Sequence, residues 1–348
     1  MKAASLVKRA GSFTIAPGRE VYGELTLDGD NSLLVLRDDH DFAVSELRYI
    51  TGTLHDLSKV SLVECCASLT GSGSRGKERY YYAHILPQFV IEGDCHIAAT
   101  EEVVTEFSFV IDDATTLFHD FDAFGTVIDA RHIIDDVVSA SKRGRKIAIG
   151  PDPIVAYFAG RREIFATDTV LGRISALHHP GYHMPSSKGI VIDNTISVNC
   201  QYRRPCPFHA AVSDVISLLR FFAMLVGRPQ NIVEFTLWCA SAGPAGLHVY
   251  WTTPPHRDRS NEWEQPQSSD VLIDPVRATD LFSGVLVRWL ERNADWRNAR
   301  QRFMDCFGKQ SFYNVDRLIA AANMFDILPS SAFPAEVTLA DELIKPRD

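Results

Sequence analysis

The sequence has no C-x-x-C pair, and its seven cysteines are odd in number and irregularly spaced, which excludes a simple disulfide framework. Cys65, Cys66, Cys95, Cys200, Cys206, Cys239 and Cys306 mostly sit in apolar runs, the pattern of reduced, buried thiols in a cytoplasmic protein. Long apolar runs are missing too. The longest, Val215 to Val226, is broken by Arg220 and reads as a core helix, so neither a membrane span nor a lipid partner is expected. The N-terminal MKAASLVKRAGS carries charge without an apolar stretch, so no secretory signal is expected. There is no basic excess: the net charge is −9, and nucleic acid could be held only by a local patch. Internal repeats and low-complexity tracts are absent.

What is present is an ordinary globular composition, 46% hydrophobic and 23% charged, over 348 residues, enough for two or three domains with normal cores. Glu24–Leu27 and Leu33–Leu36 flank Asp28-Gly29-Asp30-Asn31, a strong hairpin signal. Ile50–Leu54, Lys59–Leu69, Arg79–Leu86 and Val103–Ile111 follow as β-branched or aromatic runs between turn residues, the spacing of a sandwich or barrel. The polar, basic Ser139–Lys146 reads as a connection. Beyond it, strands are expected near Ile154–Phe158, Glu163–Thr167, Ile190–Gln201, Ile232–Cys239 and Leu247–Trp251. A helix over His209–Val226 is ended by Gly227 and Pro229.

After the polar stretch Asp258–Asp270 the period changes to that of helices. Pro275 can open one helix to about Asn293, a second covers Ala294–Phe307, and Asn314 can cap a third. Their apolar stripes, Trp289 and Trp296 included, need a cover, which the β unit, a second copy of the chain or a further domain could supply. The expected fold is therefore mainly β, with sandwich-like units, an embedded helix and a C-terminal helical segment, α+β overall. The expected domains are 1–138, 147–257 with its helix at 209–226, and a helical segment 270–330, followed by a tail 331–348.

Chemistry-bearing patterns are sparse. Gly71-Ser72-Gly73-Ser74-Arg75-Gly76 fits G-x-G-x-x-G, but strand-like Arg79-Tyr80-Tyr81-Tyr82 follows where a dinucleotide site needs a helix, so it reads as a hairpin loop. Arg75 beside backbone amides is a weak anion candidate. His178, His179 and His183 read as part of a turn. Cys200, Cys206 and His209 are off-pattern for zinc, so no metal and no cofactor is expected. Asp112, Asp113, Asp120 and Asp122 fit turn and cap roles. With Tyr80 and Tyr82, Asp120 and Asp122 are candidates for a polar-ligand site, a carbohydrate module being the alternative function. Arg288, Arg292, Arg297, Arg300 and Arg302 spread around their helices near Trp289 and Trp296, the pattern of a solvated face.

GELTLDGDNSLLVLRDD, ITGTLHDLSKVSLVECC, GSGSRGKERYYYAHILPQFV and VTEFSFVIDDATTLFHDFDAFGTVID together resemble the ApeA N-terminal domain family of bacterial abortive-infection proteins. RLIAAANMFDILP resembles the approach to the C-terminal domain of the same proteins. The resemblance implies an anti-phage protein whose N-terminal region senses infection or regulates, while a HEPN domain cleaves RNA with a helical Arg/His pair. Its implied partners are a phage-derived trigger and a HEPN ribonuclease domain or chain, with a homodimer left open. Loose Arg/His spacings occur, as at Arg79/His84, Arg173/His178 and Arg203/His209, but about three are expected by chance and none has a helical context. Pro205 and Pro207 interrupt the last, and no histidine follows His256. The expectation is a sensor or regulatory region without the catalytic motif, from a truncated copy, a split gene or a fragment, and not itself an enzyme.

Overall fold

The computed structural model describes residues 6–43, 47–76, 78–140, 148–183, 189, 191–254, 266–307 and 315–332. The first six strands are β1 (Val7–Ala16), β2 (Arg19–Leu27), β3 (Leu33–Asp38), β4 (Tyr49–Leu54), β5 (Lys59–Arg75) and β6 (Glu78–Gly93). They form two antiparallel meanders, joined where β1 pairs with β4 and β3 with β6. Because β5 also pairs with β6 along nearly its whole length, the ring β1-β2-β3-β6-β5-β4 closes into a barrel. Alternation along each strand sends Phe13, Leu25, Leu34, Leu36, Ile50, Leu62 and Ile85 into its interior. Phe13 fits because Gly52 faces it: a Cβ at that glycine would lie 2.6 Å from the ring. The expected hairpin is present, with Gly23 opposite Leu36 and Thr26 opposite Leu33. Gly29 holds the turn at φ 53°, a left-handed conformation that glycine adopts without a Cβ penalty.

A second sheet grows from the same β6. The elements after it are β7 (Val104–Ile111), α1 (Ala114–Leu117), β8 (Phe124–Ile128), α2 (Arg131–Ala140), β9 (Ile154–Phe158), β10 (Glu163–Asp168), β11 (Gly172–His183), β12 (Val191–Cys206), α3 (Phe208–Val226), β13 (Ile232–Cys239) and β14 (Leu247–Trp251). The helical segment follows as α4 (Thr279–Glu291), α5 (Asn293–Phe307) and α6 (Val315–Asp326). The sheet order is β10-β11-β12-β7-β13-β14-β6, so one edge of β6 pairs first with β3, at Tyr81–Ile85, and then with β14, at Phe89–Glu92. The fold is mainly β and α+β overall, 44% strand and 29% helix. The first unit is a closed barrel, one of the two arrangements expected from its strand spacing, and the second is a sheet with α3 and α4 on one face, with the small β8–β9 sheet apart from it; β6 is long enough to belong to both units.

Phe107, Phe109, Ile111, Leu117 and Phe118 precede residue 138, yet they pack in one cluster with the second sheet, α3 and α4; the barrel has its own cluster. On α3, Val212, Val215, Leu219, Phe222 and Val226 recur every three or four residues and face the sheet, and Gly227 at φ 84° ends the helix. By length and composition α3 could cross a membrane, but most of it is buried against the sheet. Helix α4 lays Phe282 against Phe165, Phe118 and Phe221. Its start at Thr279, four residues after Pro275, follows from Asp274, whose side chain accepts from the Val276 and Arg277 amides and holds that stretch as a turn. Residues 141–146 of the expected connection, Asn314 and the tail from 333 lie outside the described residues.

Two sequence expectations change. Gly71–Arg75 is not a loop: it continues β5, pairing residue by residue with Glu78–Tyr82. His178–His183 is not a turn but the end of β11, paired with β12 through Pro180 opposite Asn194. Proline is tolerated there because the β10 pairing stops at Leu177, leaving β11 without a neighbour on that side.

The thiols divide by environment. Burial pushes Cys65 up to about 12 and raises Cys200 further still, whereas Cys66 is exposed. A thiol reagent at pH 8 is expected to modify Cys66 first and to leave Cys65 and Cys200 unmodified until the protein unfolds. Peptide mapping by mass spectrometry reads the order, and early labelling of Cys200 would contradict it.

Candidate functional site

The face of the second sheet opposite α3 carries a polar cleft of about 440 Å³. Period-two alternation builds it. Along β7, β12 and β13 the residues Phe107, Phe109, Ile196, Val198, Phe235 and Leu237 turn toward the helices. The residues between them, Ser108, Thr195, Ser197, Glu234 and Thr236, line the open side. Neighbouring β11 adds His179 and His183, and β12 adds Asp193.

Two polar pairs organise the cleft. His179 Nε2 lies 2.7 Å from Ser197 Oγ, which also accepts a 3.1 Å hydrogen bond from Asn199 Nδ2. His183 Nε2 lies 2.9 Å from Asp193 Oδ2, in a pair exposed to solvent. Burial, and then the charge of Arg162, hold the His179 pKa below the ordinary histidine value, while Glu234 pulls it back up. At neutral pH His179 is therefore a neutral imidazole, able to donate from one nitrogen and accept at the other. The cleft thus mixes donors, acceptors and two carboxylates on a flat, rigid β surface.

The Ser197–His179 contact does not make an acyl-transfer site. Ser197 is buried in the middle of a strand, and Asn199 as well as His179 engages its hydroxyl. The backbone around it pairs with β11 throughout and with β7 from Val198 on, so it is held in strand geometry and not in the turn that presents amides to an oxyanion. The geometry suits recognition of a polar ligand better than hydrolysis.

The sequence candidates fall into separate groups. Arg75 closes β5 opposite Glu78. Tyr80 and Tyr82 lie over glycines of the paired strand: a Cβ on Gly73 or Gly71 would meet their rings within 2.5–2.6 Å. These two tyrosines cover a long hairpin and have a structural reason to be there. Asp120 is buried beside His178, with Oδ2 3.9 Å from Nε2, and its Oδ1 accepts from the Asp122 amide at 3.0 Å. Tyr80 and Tyr82 belong to the barrel hairpin, whereas Asp120 and Asp122 sit at the turn before β8, packed toward β11. Asp112 and Asp113 do more than shape a turn: Asp112 accepts from the Asn231 amide and side chain, and Asp113 is ion-paired with Arg228.

The clustered histidines do not converge either. His178 faces Phe124 and Phe158 on one side of β11, and His179 faces Ser197 on the other. His209 instead pairs with Glu64 at 3.3 Å, away from buried Cys200. The Arg/His spacings at Arg79/His84 and Arg173/His178 lie on β6 and β11. Sequence reading missed Asp193, Thr195, Ser197 and Glu234. The signal was available in Asp193-Asn194-Thr195-Ile196-Ser197-Val198-Asn199-Cys200, where small polar residues alternate with apolar ones over a full strand.

A search of curated proteins and a search of solved structures each find no match. A family model described as ApeA N-terminal domain 1 matches residues 8–289, which spans the barrel, the second sheet with its cleft, and most of α4, and leaves α5 and α6 outside the match. The chain belongs to the ApeA N-terminal domain 1 family.

Proposed function

We propose that this chain is the sensory or regulatory region of an ApeA-like abortive-infection protein and that the polar cleft is where it recognises its trigger. The observation that carries the reading is the cleft itself: one face of a sheet is buried under α3 and α4, while the other presents His179, His183, Asp193, Ser197 and Glu234 around an open volume. A rigid polar surface of this kind is suited to reading a partner by hydrogen bonds and charge. In this reading the trigger is phage-derived, the protein works in the cytoplasm, and RNA cleavage belongs to a HEPN ribonuclease domain or chain that the bound state activates.

The test uses the complete defence protein in a bacterial host challenged with phage. His179→Ala and Glu234→Ala are expected to abolish protection while leaving the melting temperature of the purified chain unchanged. Capture of the trigger from infected lysate should weaken by about tenfold or more, since truncating a central contact costs about 2 kcal/mol. Full protection by both variants would reject the cleft as the sensor. The purified chain alone is expected to leave tRNA intact.

The polar lining also favours a carbohydrate-binding reading of the same cleft, now resting on these residues and not on Tyr80, Tyr82, Asp120 and Asp122. Glycan-array binding that the His179 and Glu234 variants lose, with phage protection unchanged, would select it.

A further inference from the structure

Helices α3, α4, α5 and α6 enclose a second cavity, of about 380 Å³, with different chemistry from the cleft. Its walls are largely apolar and aromatic, with Trp289, Trp296 and Phe303 among them, and Arg288, Arg292 and Arg300 reach it as well. The sequence pattern placed these arginines on a solvated face. For Arg288 and Arg292 that holds, since both are exposed. Arg300 is different. It is only 9% exposed, and its guanidinium lies 3.6 Å from the centre of the Trp289 ring.

Among the described residues Arg300 is a buried cation that no carboxylate pairs with, and its hydrogen bond goes to the neutral Asn293 Oδ1 at 3.2 Å. Burial pushes its pKa down to about 10, the sign of a charge held in a poorly solvated place. A guanidinium has five N–H donors, so most of its capacity is unused. A second donor lies nearby: Trp296 Nε1 is buried and has no acceptor among the described residues. Buried donors without acceptors are costly, and native folds keep few of them. Both vacancies ask for the same thing, acceptor oxygens carrying negative charge. Arg300 already covers one face of Trp289 and Phe221 packs beside that ring, so Trp296 is the indole that can offer a face to a planar group.

From this we infer that the cavity between α4 and α5 binds a nucleoside phosphate, its phosphate held by Arg300 and the rim residues Arg288 and Arg292 and its base against Trp296. The volume falls in the range of small-molecule sites and matches one nucleotide, not an extended strand. An aliphatic anion would satisfy the arginines but would leave the stacking face unused. The site is independent of the cleft and of the trigger reading, and either can fail alone. The same chemistry could come as a free nucleotide or as the terminal nucleotide of an RNA, and the test separates the two.

The full chain is titrated by calorimetry with AMP, GMP, adenosine, inorganic phosphate, decanoate and a short RNA carrying a 5′-phosphate. Binding of AMP or GMP at micromolar to low millimolar concentration is expected, with adenosine and phosphate each weaker by about tenfold or more because each supplies half of the contacts. Arg288→Ala with Arg292→Ala lies on the exposed rim, so it should weaken the nucleotide by about tenfold and leave the melting temperature of the free protein in place. Trp296→Phe keeps the stacking face and removes the buried donor, and should weaken binding without unfolding. RNA binding with no binding of mononucleotides would identify a chain end as the ligand and confirm the shared chemistry. No binding of any nucleotide at millimolar concentration, binding unaffected by the rim pair, or decanoate binding as tightly as AMP would each overturn the assignment.

Discussion

Asp113→Ala is expected to lower the stability of the protein by about 3–5 kcal/mol, the cost of stranding one partner of a buried ion pair. Asp113 is 3% exposed and Arg228 9%. The guanidinium grips the carboxylate in a fork, Nε to Oδ2 at 2.6 Å and Nη2 to Oδ1 at 2.5 Å. Gln230 completes the arrangement: its Nε2 donates to Asp113 Oδ2 at 2.7 Å, and its Oε1 accepts from the Asp113 amide at 3.1 Å. The network ties the end of β7 to the turn that follows α3, residues 115 apart in sequence. In the alanine variant the Arg228 charge remains in the interior without this carboxylate.

The size of that effect says little about what the pair contributes to the intact protein, because desolvating two ions offsets much of their attraction. A double-mutant cycle separates the two. Asp113→Ala with Arg228→Met should cost clearly less than Asp113→Ala alone, since the second change removes the buried charge that has lost this carboxylate. Urea unfolding measures both, with the midpoint shifting and the slope unchanged if the fold is retained. A single-variant loss below about 1 kcal/mol would mean that water or another group compensates the arginine, since pairs open to solvent are worth no more than that.

The local sequence around Asp113 is that of a turn. The ion-pair partner is set by the way the chain returns after α3, and nothing within ten residues of Asp113 announces an arginine. Local patterns did place most of the secondary structure. The Asp28–Asn31 hairpin, the α3 periodicity with its terminal Gly227 and the alternation in β7 and β13 each rest on forces acting over a few residues. What could not be read locally is closure. That β6 serves a barrel and a sheet at once depends on its pairing with β3, β5 and β14, far apart in the chain. The cleft is a consequence of the same kind: Ser108, His179, Ser197 and Glu234 come from four strands that are adjacent in space alone. Of the earlier candidates, Tyr80 and Tyr82 misled because two aromatics facing one side of a strand look like a ligand platform, when here they fill the space above Gly71 and Gly73. Arg300 misled in the opposite direction, since helical spacing alone cannot show which arginine lies under a tryptophan.

Asp214→Asn is expected to stabilise the protein at pH 7 and above, by about 3 kcal/mol at most. Asp214 sits on α3, where it accepts a 2.8 Å hydrogen bond from the Tyr202 hydroxyl on β12. Burial pushes its carboxyl up to about 6, although the tyrosine hydrogen bond works the other way. The folded protein thus holds this proton more tightly than the unfolded chain, whose carboxyl titrates near 4. The group contributes its full share to stability below about pH 4, loses it as the pH rises toward 6, and above that leaves a carboxylate charge buried beneath the helix. Asparagine reproduces the neutral form: its carbonyl oxygen can still accept from Tyr202, and it never ionises. The advantage of the variant should therefore be absent at pH 4, grow between pH 4 and 6, and hold level through pH 8. Urea midpoints measured across that range test it directly. A flat difference would place Asp214 in contact with solvent, and a variant less stable than the parent at pH 8 would show that the charged carboxylate's hydrogen bond to Tyr202 outweighs the cost of burying it.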